Sequence, residues 1–193
     1  MRKLPIGEMN RISVEEFKSV GKIPVSVILD NVRSLNNIGS IFRTCDAFRI
    51  EKLYLCGITA CPPHKDIHKT ALGATESVSW EYYEDTRKII SLLKSGGYHI
   101  FAAEQAEGST SLQNTDFLKD HKYAIIFGHE VRGVEQVVID MSDSCIEIPQ
   151  VGTKHSLNVA VSAGIILWEA FRQLQFPVFE NLSRNPLSAG PIS

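Results

Sequence analysis

Val25-Ser-Val-Ile-Leu-Asp-Asn-Val-Arg-Ser-Leu-Asn-Asn-Ile-Gly-Ser-Ile-Phe-Arg43 carries the transition on which the fold turns. It opens with an apolar run of strand length, Val25 to Leu29. A polar cluster follows, then a segment of helical length from Ile38 to Phe48, and then a second apolar run from Lys52 to Cys56. Short apolar runs bounded by turn-forming residues fit strands buried on both faces. The same pattern recurs down the chain. Further runs lie at Tyr98 to Ala103, Tyr123 to Phe127 and Cys145 to Ile148, with helical segments at Asp85 to Lys94 and Val134 to Met141. Strands alternating with helices predict a mostly parallel sheet with helices on both faces, so the expected class is α/β.

Working outward, Ser13-Val-Glu-Glu16 has the spacing of a capping box and predicts a short helix through Ser19, closed by Gly21. Residues 1–22 then form a helical N-terminal extension. Ser156 to about Gln175 reads as one helix of about 30 Å. It is apolar nearly all round, with Ala160, Ala163 and Gly164 among Val161, Ile165, Ile166, Leu167, Trp168 and Phe171. Such a helix is buried on more than one side, which fits a core combined with a subunit interface. After Pro177 the periodicity stops, so 177–193 is expected to be an irregular tail and 23–176 the main domain.

Composition excludes several classes. The 193 residues suit one α/β domain, and 44% hydrophobic with 22% charged residues is ordinary for a globular chain. The opening MRKLPIGEMN lacks an apolar core, and no stretch approaches the roughly 18 to 20 apolar residues of a membrane span, so a soluble cytoplasmic protein with no membrane partner is expected. Cys45, Cys56, Cys61 and Cys145 form no CxxC pair and are expected to be reduced thiols. Cys61, His64 and His68 are the nearest approach to a ligand set, but a fourth ligand is not evident, and no metal is expected. The net charge of −2 argues against a nucleic-acid partner, yet the charge is uneven. Residues 1–70 carry 11 Lys and Arg against 7 Asp and Glu, and residues 71–193 carry 9 against 15. A basic N-terminal third suits a phosphate-binding face, although chance unevenness on a solvated surface is equally open.

The chain contains no GxGxxG after a strand, no GxxxxGK[ST], no HExxH and no GxSxG. Three polar, glycine-bearing clusters remain, each following a predicted strand, where open α/β sheets bind ligands. In the first, Asn37 is placed as a helix cap, and Gly39 and Ser40 share the face of Arg43, leaving the guanidinium beside a flat surface open to phosphate or ribose. The plain alternative is a cap and a surface ion-pair partner. In the second, Phe127-Gly-His-Glu-Val-Arg-Gly-Val134, Gly128 and Gly133 permit close backbone approach to a ligand, and Glu130 is either functional or a cap or turn carboxylate. In the third, Ile148 to Gly164, Ser156 is expected to cap the long helix with Asn158 in its first turn, so that free backbone N–H groups converge there. Capping alone would also explain both residues. Ile148 and Leu157 beside those groups resemble a slot for a flat heterocycle.

Together the clusters resemble three motifs of the SpoU (TrmH-like) family of the SPOUT superclass, RNA 2′-O-ribose methyltransferases, over residues 25–175. The motifs are Asn37-Ile-Gly39-Ser-Ile-Phe-Arg43, Gly128-His-Glu130-Val-Arg-Gly133, and Ile148-Pro149 with Ser156-Leu-Asn158. The resemblance implies a C-terminal deep trefoil knot and S-adenosylmethionine held by the backbone around Ala103, Gly128, Ile148 and Leu157. It also implies a homodimer formed through the knot and the C-terminal helix. The implied reaction is methyl transfer to a ribose 2′-hydroxyl, with Asn37, Arg43, Glu130, Ser156 and Asn158 at the matched active-site positions. A guanidinium has five donors and no acceptor, so Arg43 is expected to bind phosphate and stabilise the developing alkoxide, with the proton leaving through phosphate, Glu130 or water. Arg11, Arg33, Lys65 and Lys69 are the expected RNA contacts, with Arg2, Lys3, Lys18 and Lys22 as further candidates. A chain this compact resembles the tRNA-modifying members more than the ribosomal RNA ones. Two alternatives stay open: a knotted RNA- or protein-binding module without catalysis, and methyl transfer to a base or a small molecule.

Overall fold

A computed structural model describes residues 1–9 and 11–184. Among them the centre is a seven-stranded sheet in which every pairing is parallel. Its strands are β1 (Ile23–Asp30), β2 (Ile50–Cys56), β3 (Trp80–Tyr83), β4 (Tyr98–Ala103), β5 (Thr110–Ser111), β6 (Lys122–Phe127) and β7 (Ser144–Glu147), in the spatial order β3-β2-β1-β6-β4-β7-β5. The connecting helices are α1 (Val14–Ser19), α2 (Leu35–Ala47), α3 (Lys65–Ala71), α4 (Ala74–Ser77), α5 (Thr86–Ser95), α6 (Gln136–Met141) and α7 (Val159–Arg184).

Both faces of the sheet are covered, which is why its strands read as unbroken apolar runs rather than alternations. Val25, Val27 and Leu29 of β1 feed one core, shared with Ile38, Ile41 and Phe42 of α2 and with Ala163, Ile166 and Leu167 of α7. Ile28 points the other way, into a second core with Ile89, Ile90 and Leu93 of α5 and Val138 of α6. The chain steps outward from β1 to β2 to β3, then crosses to β4, and β6 later inserts between β4 and β1. The carboxyl ends of β1, β6, β4 and β7 therefore gather where the strand order reverses, the place where open α/β sheets bind ligands.

Four elements were not anticipated. β3 is an edge strand with Glu81 and Tyr82 exposed, and β5 is two residues long, so neither presents an apolar run. α3 and α4 are seven and four residues long, and helices this short are held by tertiary packing rather than by their own propensity. For α3 the packing partner is α2 at Gly39, where an added Cβ would lie 2.0 Å from Thr70 Oγ1 and 2.4 Å from the Ile67 carbonyl oxygen. Gly39 is thus buried under α3, and of the two small residues expected to form a surface beside Arg43 only Ser40 does so. The long helix begins at Val159, three residues later than expected, and runs past Pro177 to Arg184. A proline removes one backbone donor, which here does not end the helix. Residues 185–193 of the expected tail lie outside the described residues. At the N-terminus, Ser13 Oγ accepts from the Glu16 N–H at 3.1 Å, and Phe17 of α1 is buried in the main core.

All four cysteines are free thiols, and burial pushes Cys56 up to about 12. Among the described residues no group of three or more His, Cys, Asp or Glu is arranged to hold a metal ion. His64 is occupied at the start of α3, its Nδ1 accepting from the Asp66 N–H at 3.2 Å. Among the same residues no helix is long and apolar enough to cross a membrane.

Candidate active site

The loop after β6 is a closed turn. His129 and Gly133 exchange backbone hydrogen bonds of 3.0 and 2.8 Å, and His129 Nδ1 accepts from the Val131 N–H at 3.0 Å. Gly133 adopts φ +68°, a region costly for other residues, and a Cβ on Gly128 would lie 2.3 Å from its carbonyl carbon. The loop is pinned from β4 by Glu104, whose Oε2 accepts from the Val134 N–H at 2.9 Å. Gln105 beside it donates from Nε2 to the His155 carbonyl at 2.8 Å and ties down the loop before α7. These loops wall a cleft of about 520 Å³ at the carboxyl edge of the sheet. Ala103, Gly128, Ile148 and Leu157, the four residues expected around a cofactor, all line it, together with Glu130 and Ser156.

Beside this cleft the three clusters meet. Glu130 Oε1 accepts from the Ser34 N–H (2.8 Å) and from Asn37 Nδ2 (3.0 Å), while Oε2 accepts from the Arg33 N–H (3.0 Å). Asn37 Oδ1 in turn accepts from Asn158 Nδ2 at 3.1 Å. Partial burial pushes the Glu130 carboxyl up, but its hydrogen bonds outweigh this and hold it below the ordinary range. Two expectations are corrected by this geometry. Ser34, not Asn37, caps α2, its Oγ accepting from the Asn37 N–H at 3.4 Å, which frees the Asn37 amide for Glu130 and Asn158. Asn158, not Ser156, caps α7, accepting from the Ala160 N–H at 2.9 Å and the Val161 N–H at 3.3 Å. Ser156 lines the cleft and, among the described residues, makes no hydrogen bond. Glu130 caps no helix of its own; it reaches across to the backbone ahead of α2.

Arg43 stands apart from this group. It is exposed and lines a separate depression with Ser40, Thr44, Phe48, Lys69, Thr70 and Gly164, and its guanidinium makes no hydrogen bond or ion pair among the described residues. Lys69 is brought beside it, whereas Lys65 lines a third pocket at the other end of α3. Arg33 is exposed next to Glu130, and Arg11 lines none of these cavities. Two further basic candidates are already engaged. Arg2 pairs with Glu8 at 2.7 Å, and the Lys22 ammonium donates to the Phe17 carbonyl and sits 3.7 Å over its ring.

Residues 24–168 match the SpoU rRNA methylase family. The chain belongs to that family. It is 31% identical over 166 residues to the tRNA (guanosine(18)-2′-O)-methyltransferase of Thermus thermophilus, covering 86% of this chain and 84% of that protein. Among solved structures it superposes on the A. aeolicus TrmH/SpoU tRNA modifying enzyme with a TM-score of 0.75 at 27% identity, over 91% of this chain and 86% of that one. The AdoMet-bound rRNA methyltransferase from Sinorhizobium meliloti gives a TM-score of 0.74 at 29% identity over 81% of this chain, which spans only 58% of that protein.

As a SpoU-family member the chain uses S-adenosylmethionine, and the cleft suits it. The volume lies within the range of about 300 to 1,000 Å³ usual for small-molecule sites. Ile146, Ile148, Leu157 and Ile166 offer apolar walls to a purine, and Glu104, Glu130 and Glu147 put carboxylates around a ligand carrying a sulfonium and an ammonium. The close approach of Gly128 to Gly133 keeps backbone rather than side chain at the wall. Glu104, Gln105 and His129 were missed as site residues. A signal for Glu104 and Gln105 was present, since they directly follow a strand, where sheets of this class place ligand contacts.

Proposed function

We propose that this SpoU-family chain transfers the methyl group of S-adenosylmethionine to a ribose 2′-hydroxyl of structured RNA, with tRNA as the substrate class. The observation that carries the reading is the line Asn158–Asn37–Glu130, which ties polar groups from three separate stretches of sequence together beside the cofactor cleft. The relatives support the substrate: the Thermus thermophilus protein is named as a tRNA ribose methyltransferase, and this chain spans most of its length. A cytoplasmic location goes with that substrate.

When bound, S-adenosylmethionine supplies a methyl group on a sulfonium. The residues of this chain bind, orient and exclude water. Glu130 spends its acceptor capacity on Arg33, Ser34 and Asn37 and is held below the ordinary carboxylate range, so it is a poor proton acceptor and acts by fixing the Asn37 amide. Arg43 has no acceptor, and its guanidinium has no partner among the described residues, so it is available to clamp the substrate phosphate and stabilise the developing alkoxide. The proton then passes to phosphate or to water. Arg43→Lys keeps the charge but loses the fork, and it is expected to lower single-turnover methylation at saturating cofactor about 10²-fold or more. Near wild-type turnover in that variant would remove the bidentate role.

The dimer and the C-terminal knot belong to the same proposal. Val161, Ile165 and Trp168, at helical spacing on α7, are 51%, 37% and 45% exposed, an apolar stripe that a second copy would cover. Gly164 on the same helix lines the Arg43 depression, so pairing through this stripe sets Arg43 at the subunit boundary. Light scattering tests the point: a monomeric mass at micromolar concentration would exclude this pairing.

A further inference from the structure

The pocket at the far end of α3 has no part in the reaction described above. It has a volume of about 540 Å³ and is lined by Pro62, Pro63, His64, His68 and Glu76 together with Trp80 of the edge strand β3. Trp80 is half-buried, packs against the main core and also lines the pocket. An indole and two imidazoles are flat π surfaces, and flat π surfaces are what unstacked nucleobases bind, largely irrespective of base identity. The Glu76 carboxylate offers acceptors to the amino group of such a base.

The charges around the pocket give it a direction. Lys65 lines the pocket and Lys69 lines the Arg43 depression, and the two lie one turn apart on α3, about 6 Å along its axis. Asp66, the acid of α3, lies 4.0 Å from the His64 Nδ1. A cationic track thus leads from the Trp80 pocket to Arg43, and it sits in the basic N-terminal third of an otherwise acidic chain. Phosphates following Lys65 and Lys69 would carry a neighbouring nucleotide to Trp80.

We propose that the Trp80 pocket captures an unpaired base of the same RNA strand whose ribose is methylated, with the backbone running along Lys65 and Lys69 to Arg43. This rests on the reading of the chain as an RNA methyltransferase. Its test is steady-state methylation of tRNA by the full chain carrying Trp80→Ala, Trp80→Phe, Trp80→Leu or His68→Glu. Trp80→Ala is expected to raise the apparent KM for RNA about ten-fold. Its kcat at saturating RNA and its calorimetric Kd for S-adenosylmethionine should stay within about two-fold of wild type. Trp80→Phe, which keeps a stacking face, should restore most of the affinity, whereas Trp80→Leu, which keeps apolar bulk against the core without a π face, should not. His68→Glu alters an exposed side chain with no partner among the described residues, so it should raise KM severalfold without lowering the melting temperature. An active enzyme whose RNA KM is unmoved by both Trp80→Ala and His68→Glu would overturn the proposal and leave the methyltransferase reading intact; a pocket built for a protein partner would give that result. If the wild-type chain methylates no RNA, the functional reading itself fails. The pocket is then decided by tryptophan fluorescence with a single-stranded oligoribonucleotide: quenching in wild type that disappears in Trp80→Phe supports it, and equal quenching in both overturns it.

Discussion

At the scale of single residues, two carboxylates on the same edge of the sheet are tuned in opposite directions. Glu130 is held below the ordinary carboxylate range because donors from Arg33, Ser34 and Asn37 outweigh its partial burial. A depressed folded pKa contributes stability that is present above the unfolded value, about 4.3, and is lost as the pH falls through the folded one. Glu130→Gln is therefore expected to cost about 1 to 3 kcal/mol at pH 7, with the gap to wild type closing below about pH 4 in urea melts. The same variant should lower methyl transfer more than cofactor affinity, because it frees the Asn37 amide. Asp30, at the end of β1, is the reverse case. It is 2% exposed, one of its oxygens has no hydrogen-bond partner among the described residues, and burial raises its pKa although Thr86 donates to the other oxygen. A raised folded pKa means that stability falls as the pH climbs from the unfolded value, about 3.9, through the folded one. Asp30→Asn should thus gain on wild type as the pH rises from 4 to 8 in thermal melts, and a pH-independent difference would show that Asp30 does not titrate in this way.

At the scale of elements, what was legible in the sequence depended on burial and length. The five apolar runs became strands, Tyr98–Ala103 to the residue and the other four with ends moved by one or two, because a strand covered on both faces must be apolar throughout. β3, β5, α3 and α4 were illegible because tertiary contacts, not local pattern, define them. Gly39 illustrates the limit: the sequence marked it as part of a ligand surface, whereas its use is to let α3 lie against α2. Gly39→Ala should cost about 1 to 3 kcal/mol through overpacking against the Ile67 carbonyl and Thr70, measured as a lowered urea midpoint with an unchanged m-value. The caps were misassigned for a related reason. Ser34, Asn37, Ser156 and Asn158 are all chemically able to cap a helix, and only the observed starts of α2 and α7 decide which of them do.

For the whole molecule, the cofactor cleft was the most legible part of the site, since every residue expected around it lines one cavity. The polar residues beside it were less so, because Arg43 lines a depression separate from the cleft that Glu130 lines, a separation that no motif spacing records. In the proposed function these parts share one task, delivery of a methyl group to a ribose oxygen. The most direct measurement incubates the full chain with labelled S-adenosylmethionine and tRNA, then locates the methylated nucleoside by alkaline hydrolysis and mass mapping. A ribose methyltransferase leaves a label that blocks alkaline cleavage at one nucleotide and is lost in Arg43→Ala. A label on a base, with cleavage intact, or transfer that survives Arg43→Ala, would contradict the proposed function.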